Sequence, residues 1–177
     1  MSFTPAYNAT FAKPLLNQLI ALIERDQQAA INLVNPSLAP ITEFHKGPGV
    51  RTAFPWLSLS ADSMKFDALA SDARKSLARV TLTLDIGQFD QDIAQDNGQD
   101  YVRVLDMVIT TAPLCDYTAP LPITHQTVPG GTTTPSAPDS VKEVFVESHD
   151  YSLVTLNEVE IPVLRATLQV LFYLEET

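Results

Sequence analysis

Residues 158–175 read EVEIPVLRATLQVLFYLE. From Leu164 onward the apolar side chains Leu164, Ala166, Leu168, Val170, Phe172 and Leu174 alternate with Arg165, Thr167, Gln169, Leu171, Tyr173 and Glu175. Successive side chains of a strand point to opposite sides, so this pattern predicts a long strand with one apolar and one mixed face. Val159, Ile161 and Val163 have the opposite phase, and the change falls at Pro162. Proline cannot donate to a strand ladder, so Pro162 is expected at an edge or a bulge, where the chain passes between two buried environments. At about 3.3 Å per residue the segment would exceed roughly 50 Å if straight. That is longer than one small sheet needs, and part of it is expected to cover a neighbouring subunit.

Working outward, residues 79–86 (RVTLTLDI) alternate as cleanly. Val80, Leu82, Leu84 and Ile86 are expected to face inward, and Arg79, Thr81, Thr83 and Asp85 outward. Residues 55–61 (PWLSLSA) give a shorter strand, with the single tryptophan, Trp56, as a core or rim residue. Residues 141–147 (VKEVFVE) give another, and residues 150–157 lead into the terminal strand.

Two segments have helical spacing. Leu16, Leu19, Ile20 and Ile23 recur at three- and four-residue steps after Pro14, which suits a first helical turn. The helix is predicted over 14–33, with a break allowed near Asp26, and Pro36 and Pro40 end it. Residues 101–109 (YVRVLDMVI) are read as a second helix capped by Asn97 or Asp100, although their β-branched content also suits a strand. Residues 35–54 are loop with room for one short strand, and Gly47-Pro48-Gly49 is a turn, because no GK[ST] comes after it. Residues 112–140 carry six prolines, a Gly-Gly pair and many threonines, which deny them regular structure. They are expected to form an extended loop or arm inserted into one domain spanning 1–177. The resulting class is α+β, with a mainly antiparallel sheet of about four strands and the helices packed on one face.

A chain of 177 residues supports one domain with a true core. Its 45% hydrophobic and 18% charged content is that of a folded protein. The net charge of -10 argues against a surface that grips nucleic acid throughout. It is compatible with an acidic passage that DNA traverses without sticking, though solubility alone accounts for it. The lone Cys115 excludes an internal disulfide and, with no basic neighbour, reads as a filler residue rather than a nucleophile. The opening residues lack a basic segment leading into an apolar run, and no stretch approaches the ~20 apolar residues of a membrane span. A soluble, unexported chain is expected.

Spacings that signal chemistry are scarce. His45, His125 and His149 lie in separate regions without metal-ligand spacing, so surface or loop positions are expected rather than a zinc site. Asp90, Asp92 and Asp96 lack the glycine and terminal glutamate of a calcium loop, which leaves a solvated acidic turn. GxSxG, CxxC and GxGxxG are absent from the sequence. The expectation is no catalytic residue, no cofactor and no metal.

The order of elements resembles that of the tail terminator proteins of long-tailed bacteriophages. The features that carry the likeness are the opening amphipathic helix (14–33), the Pro-led strand (55–61), the alternating strand (79–86) and the helix-like segment (101–109). The closing strand RATLQVLFYLEE, residues 165–176, completes them. Head-completion and neck proteins share similar small α+β layouts. The resemblance implies a structural virion protein that is assembled in the host cytoplasm and forms a homo-oligomeric ring, commonly a hexamer. The ring caps the tail tube, stops its growth and joins it to the head connector or a neck protein. DNA passes through its lumen without specific binding, and no membrane is involved. Heterologous ring contacts suit strand edges and extended arms. On that basis the loop 112–140, with Thr132, Thr133, Thr134 and Pro135, and the segment of Pro162, Val163 and Arg165 are the expected assembly surfaces. The competing classes are a small enzyme or ligand-binding domain with a dispersed site, and a generic adaptor domain.

Overall fold

The computed structural model describes residues 12–68, 74–87, 91–110, 140–156 and 162–176. In chain order they form α1 (Ala12–Val34), β1 (Glu43–Lys46), β2 (Trp56–Ala68), β3 (Arg74–Gly87), α2 (Gln91–Thr110), β4 (Ser140–Thr155) and β5 (Pro162–Glu176). The strands make one five-stranded sheet in the order β1-β2-β3-β5-β4. β1 runs parallel to β2, and the other neighbours are antiparallel. The class is therefore α+β as expected. The sheet is mixed, with five strands rather than about four, because the loop region 35–54 contributes β1.

The alternation read in the sequence is the core of the molecule. Leu164, Ala166, Leu168, Val170 and Phe172 of β5 join Val80, Leu82, Leu84 and Ile86 of β3 and Leu57 and Leu59 of β2 in one buried cluster. Leu15, Leu19 and Ile23 of α1 and Tyr101, Leu105 and Ile109 of α2 cover that face. Both helices thus lie on one side of the sheet, where their apolar stripes meet the inward-pointing strand residues.

α1 does not break at its polar interval. Gln27 is buried, accepts the Ile41 backbone N–H at 2.8 Å and donates to the Ile41 carbonyl at 2.9 Å. It serves Ile41 as a neighbouring strand would, and so fixes the approach to β1. The charged pair beside it, Arg25 and Asp26, bonds in solvent at 2.6–2.7 Å. Pro36 ends the helix, and the Asn35 side chain reaches Asp100 of α2 at 2.8 Å.

α2 begins at Gln91, so Asn97 and Asp100 lie inside it rather than capping it. Gly98 explains the misreading. A Cβ there would stand 2.5 Å from Leu164 Cδ2, so the glycine lets the helix approach β5 closely. Tyr101 donates its hydroxyl proton to the Ala39 carbonyl at 2.6 Å, and burial pushes its pKa up to about 12. The folded state therefore keeps a proton that the unfolded chain releases near pH 10. Stability from this group is intact below about pH 10 and falls as pH rises towards about 12. Denaturant melts of wild type and Tyr101→Phe should diverge in that window, the wild type losing stability more steeply.

The terminal strand departs from one expectation. β5 is an interior strand, paired over its length with β3 on one side and β4 on the other. β5 itself carries no bulge after Pro162, which pairs with Thr155 of β4 but has no partner on β3; the extra residues fall on β2, at Asp62, and on β4, at Lys142 and Glu147. Strong alternation marks a strand buried by neighbours, and this one has no edge left for another subunit. The sheet's long terminal strand is β4, which also absorbs the expected strand at 141–147 and most of 150–157.

Candidate functional site

Among the described residues, no helix covers the second face of the sheet. Cross-strand pairing lays out its side chains in rows. One row crosses all five strands: Glu43, Trp56, Asp85, Arg165 and Ser152. The next rows carry His45, Ser58, Thr83, Thr167 and Asp150, then Ser60, Thr81, Gln169 and Ser148. Further along lie Arg79, Leu171 and Phe145, and beyond them Tyr173 and Glu143. The face thus grades from a charged row, through hydroxyl and amide rows, to an aromatic end.

Asp85 dominates the charged row. Alternation places it on the outer face, but it is 0% exposed rather than solvated. Arg51, from the segment joining β1 to β2, donates Nε to its Oδ2 at 2.5 Å. Arg165 donates Nε to Oδ1 at 2.7 Å and Nη2 to Oδ2 at 2.9 Å. These charge-assisted bonds offset the cost of burying a carboxylate. They also raise the pKa of Arg165 above that of a free guanidinium. The Arg51 guanidinium lies 4.4 Å over the Trp56 ring, and His45 stacks on the same ring at 5.1 Å. Gly47, at φ 78°, turns the chain out of β1; its carbonyl accepts from the Ser58 hydroxyl at 2.6 Å. Glu43 takes the Thr52 hydroxyl. The cluster pins the segment after β1 onto the sheet. It brings together an ion triad, a stacked ring and the Glu43 carboxylate, which lies 3.9 Å from His45 Nε2.

The aromatic end is open to solvent. Phe145 and Tyr173 are 46% and 43% exposed and meet edge to face at 6.0 Å. β4 itself is exposed along most of its length, including Glu143, Glu147, His149, Asp150 and Ser152. Among the described residues nothing pairs with its outer edge.

A crevice of about 320 Å³ opens at the other end of the molecule, between Ser37, Phe54, Gly87, Asn97 and Tyr101. Among the described residues that line it, Tyr101 is the one titratable side chain, and its hydroxyl is already engaged. Among the described residues no group of three His, Cys, Asp or Glu side chains could hold a metal ion. No described helix is long and apolar enough to cross a membrane.

The residues singled out from sequence fall in different places. Pro162 opens β5 opposite Thr155 and is exposed. Val163 beside it is fully buried between Gly87 and Val154, and Arg165 is committed to Asp85. Thr132, Thr133, Thr134 and Pro135, together with Cys115, His125 and Asp90, lie outside the described residues. Asp92 and Asp96 sit on the exposed side of α2. Sequence reasoning missed the Asp85–Arg51–Arg165 cluster and the edge position of β4. A comparison of the chain with protein-family models and with curated proteins finds no match.

Proposed function

We propose that the protein is a structural subunit of a phage tail that assembles into a closed ring, in the manner of a tail terminator. The observation that carries this reading is β4, a 16-residue strand at the end of the sheet. At about 3.3 Å per residue its outer edge runs for roughly 50 Å, and among the described residues nothing pairs with it. Monomeric proteins keep edge strands short or covered, so a long open edge beside exposed aromatic side chains favours pairing with another chain. Ring contacts require two different surfaces on each subunit, and this molecule's two sheet edges differ in length and charge.

On this reading the ring, a hexamer by analogy with tail terminators, caps the tail tube and meets the head connector, with no catalytic step. The net charge of -10 suits a lumen that passes DNA without holding it.

Native mass spectrometry with negative-stain imaging of the purified full chain tests the reading. The expected result is one ring stoichiometry with a central opening. A monomer at every concentration would overturn it.

A further inference from the structure

The molecule carries an aromatic knob and an uncharged hole at opposite ends of the sheet. Phe145 and Tyr173 form the knob: both rings are exposed and meet edge to face at 6.0 Å. Tyr173 lies opposite Leu77, near the start of β3. The hole is the crevice of about 320 Å³, which Ile86 and Gly87 line at the far end of the same strand. From Leu77 to Gly87 the strand runs for about 33 Å, so the two rings cannot reach the crevice of their own subunit.

We infer that Phe145 and Tyr173 of one subunit insert into the crevice between Leu38, Phe54, Ile86 and Tyr101 of the next. This rests on the ring reading above and names a contact that builds the ring.

Size and chemistry select this occupant. A dry apolar cavity of about 150 Å³ takes one benzene ring, so a crevice of about 320 Å³ has room for two. None of the described residues that line it is charged, and Leu38, Phe54, Pro55 and Ile86 give it apolar walls. Such a lining disfavours a charged guest, which would lose its hydration without gaining a counter-ion. Ser37 lies exposed among the lining residues and offers a hydroxyl to the phenol of Tyr173, whose polar tip needs a partner once its ring is buried. Two aromatic rings seated in a pocket are the kind of anchor that dominates protein interfaces.

The surroundings of the crevice extend the landing surface. Ile93, one helical turn before Asn97 on the same side of α2, is 48% exposed. Leu153 shares a cross-strand row with Leu164 and Ile86 and is 56% exposed. Because knob and hole occupy different surfaces, the contact is heterologous and repeats from subunit to subunit until the ring closes.

The test compares three forms of the full chain by native mass spectrometry: the parent, Phe145→Ser/Tyr173→Ser, which removes the knob, and Ser37→Arg, which sets a charge at the crevice. The substituted side chains are exposed, so both variants should keep the thermal melt of the parent. Each alone should associate at least about tenfold more weakly. Mixed in equal amounts, the two variants should form a dimer and stop there, because one intact ring pair meets one intact crevice. Unchanged ring formation by either variant would overturn the inference and leave the ring reading standing. A mixture that associates no better than its components would overturn it as well. If the parent stops at a dimer or an open oligomer that both variants dissolve, the ring reading fails and the knob-and-hole contact holds. A parent that is monomeric at every concentration would overturn both.

Discussion

Asp85→Ala is expected to destabilise the protein by about 3–5 kcal/mol, because one member of a buried ion cluster is lost while its partners remain. Arg51 and Arg165 would then face each other across an emptied site, their side chains only 15% and 27% exposed, respectively. They would repel, and the segment that carries Arg51 onto Trp56 would lose its anchor. Urea unfolding of the variant measures the effect. Asp85→Asn should recover part of the loss, since an amide oxygen still accepts from one guanidinium. A variant as stable as wild type would mean that the two arginines are satisfied by solvent, with the carboxylate incidental.

Leu168→Ala is expected to cost about 2–5 kcal/mol. Leu168 is 0% exposed and lies opposite Leu82 of β3, beneath the helices. The cost combines lost transfer energy with a cavity between elements that cannot collapse fully, because neighbouring strands hold them apart. The neighbouring change Thr167→Ala, on the half-buried outer face, should stay within about 0.5–1 kcal/mol. If the two variants lost equal stability, the assignment of faces along β5 would be wrong.

The parts of this fold that are legible in the sequence are those where one face is buried continuously. β3 and β5 have neighbours on both sides and a helical layer on one face, so their side chains have to alternate. α1 is legible because its stripe is broad, and even its polar interval has a reason in Gln27. β4 is legible only in fragments. Each bulge inserts an extra residue, at Lys142 and again at Glu147, and shifts the phase of the next stretch of strand. The beginning of α2 is hidden by Asn97-Gly98, which looks like a turn but serves close packing on Leu164.

The Asp85 cluster is illegible for a different reason. Alternation reports which side of a sheet a residue faces, not what arrives to cover it. Arg165 lies 80 residues from Asp85 and Arg51 lies 34 away, so their convergence depends on strand register and on the path of the segment after β1. Two arginines and an aspartate without local spacing leave no signature. The edge position of β4 likewise depends on strand order, which periodicity does not encode.

The two surplus residues in β4 have a further consequence. Cross-β fibrils grow because a flat, uninterrupted ribbon copies its own hydrogen-bonding rhythm onto the next molecule. Here that rhythm stumbles at Lys142 and Glu147, and each stumble adds local coil. Between them remain only residues 143–146, and a full-length sibling laid alongside finds its donors and acceptors out of step. A ribbon so interrupted refuses to seed a fibre.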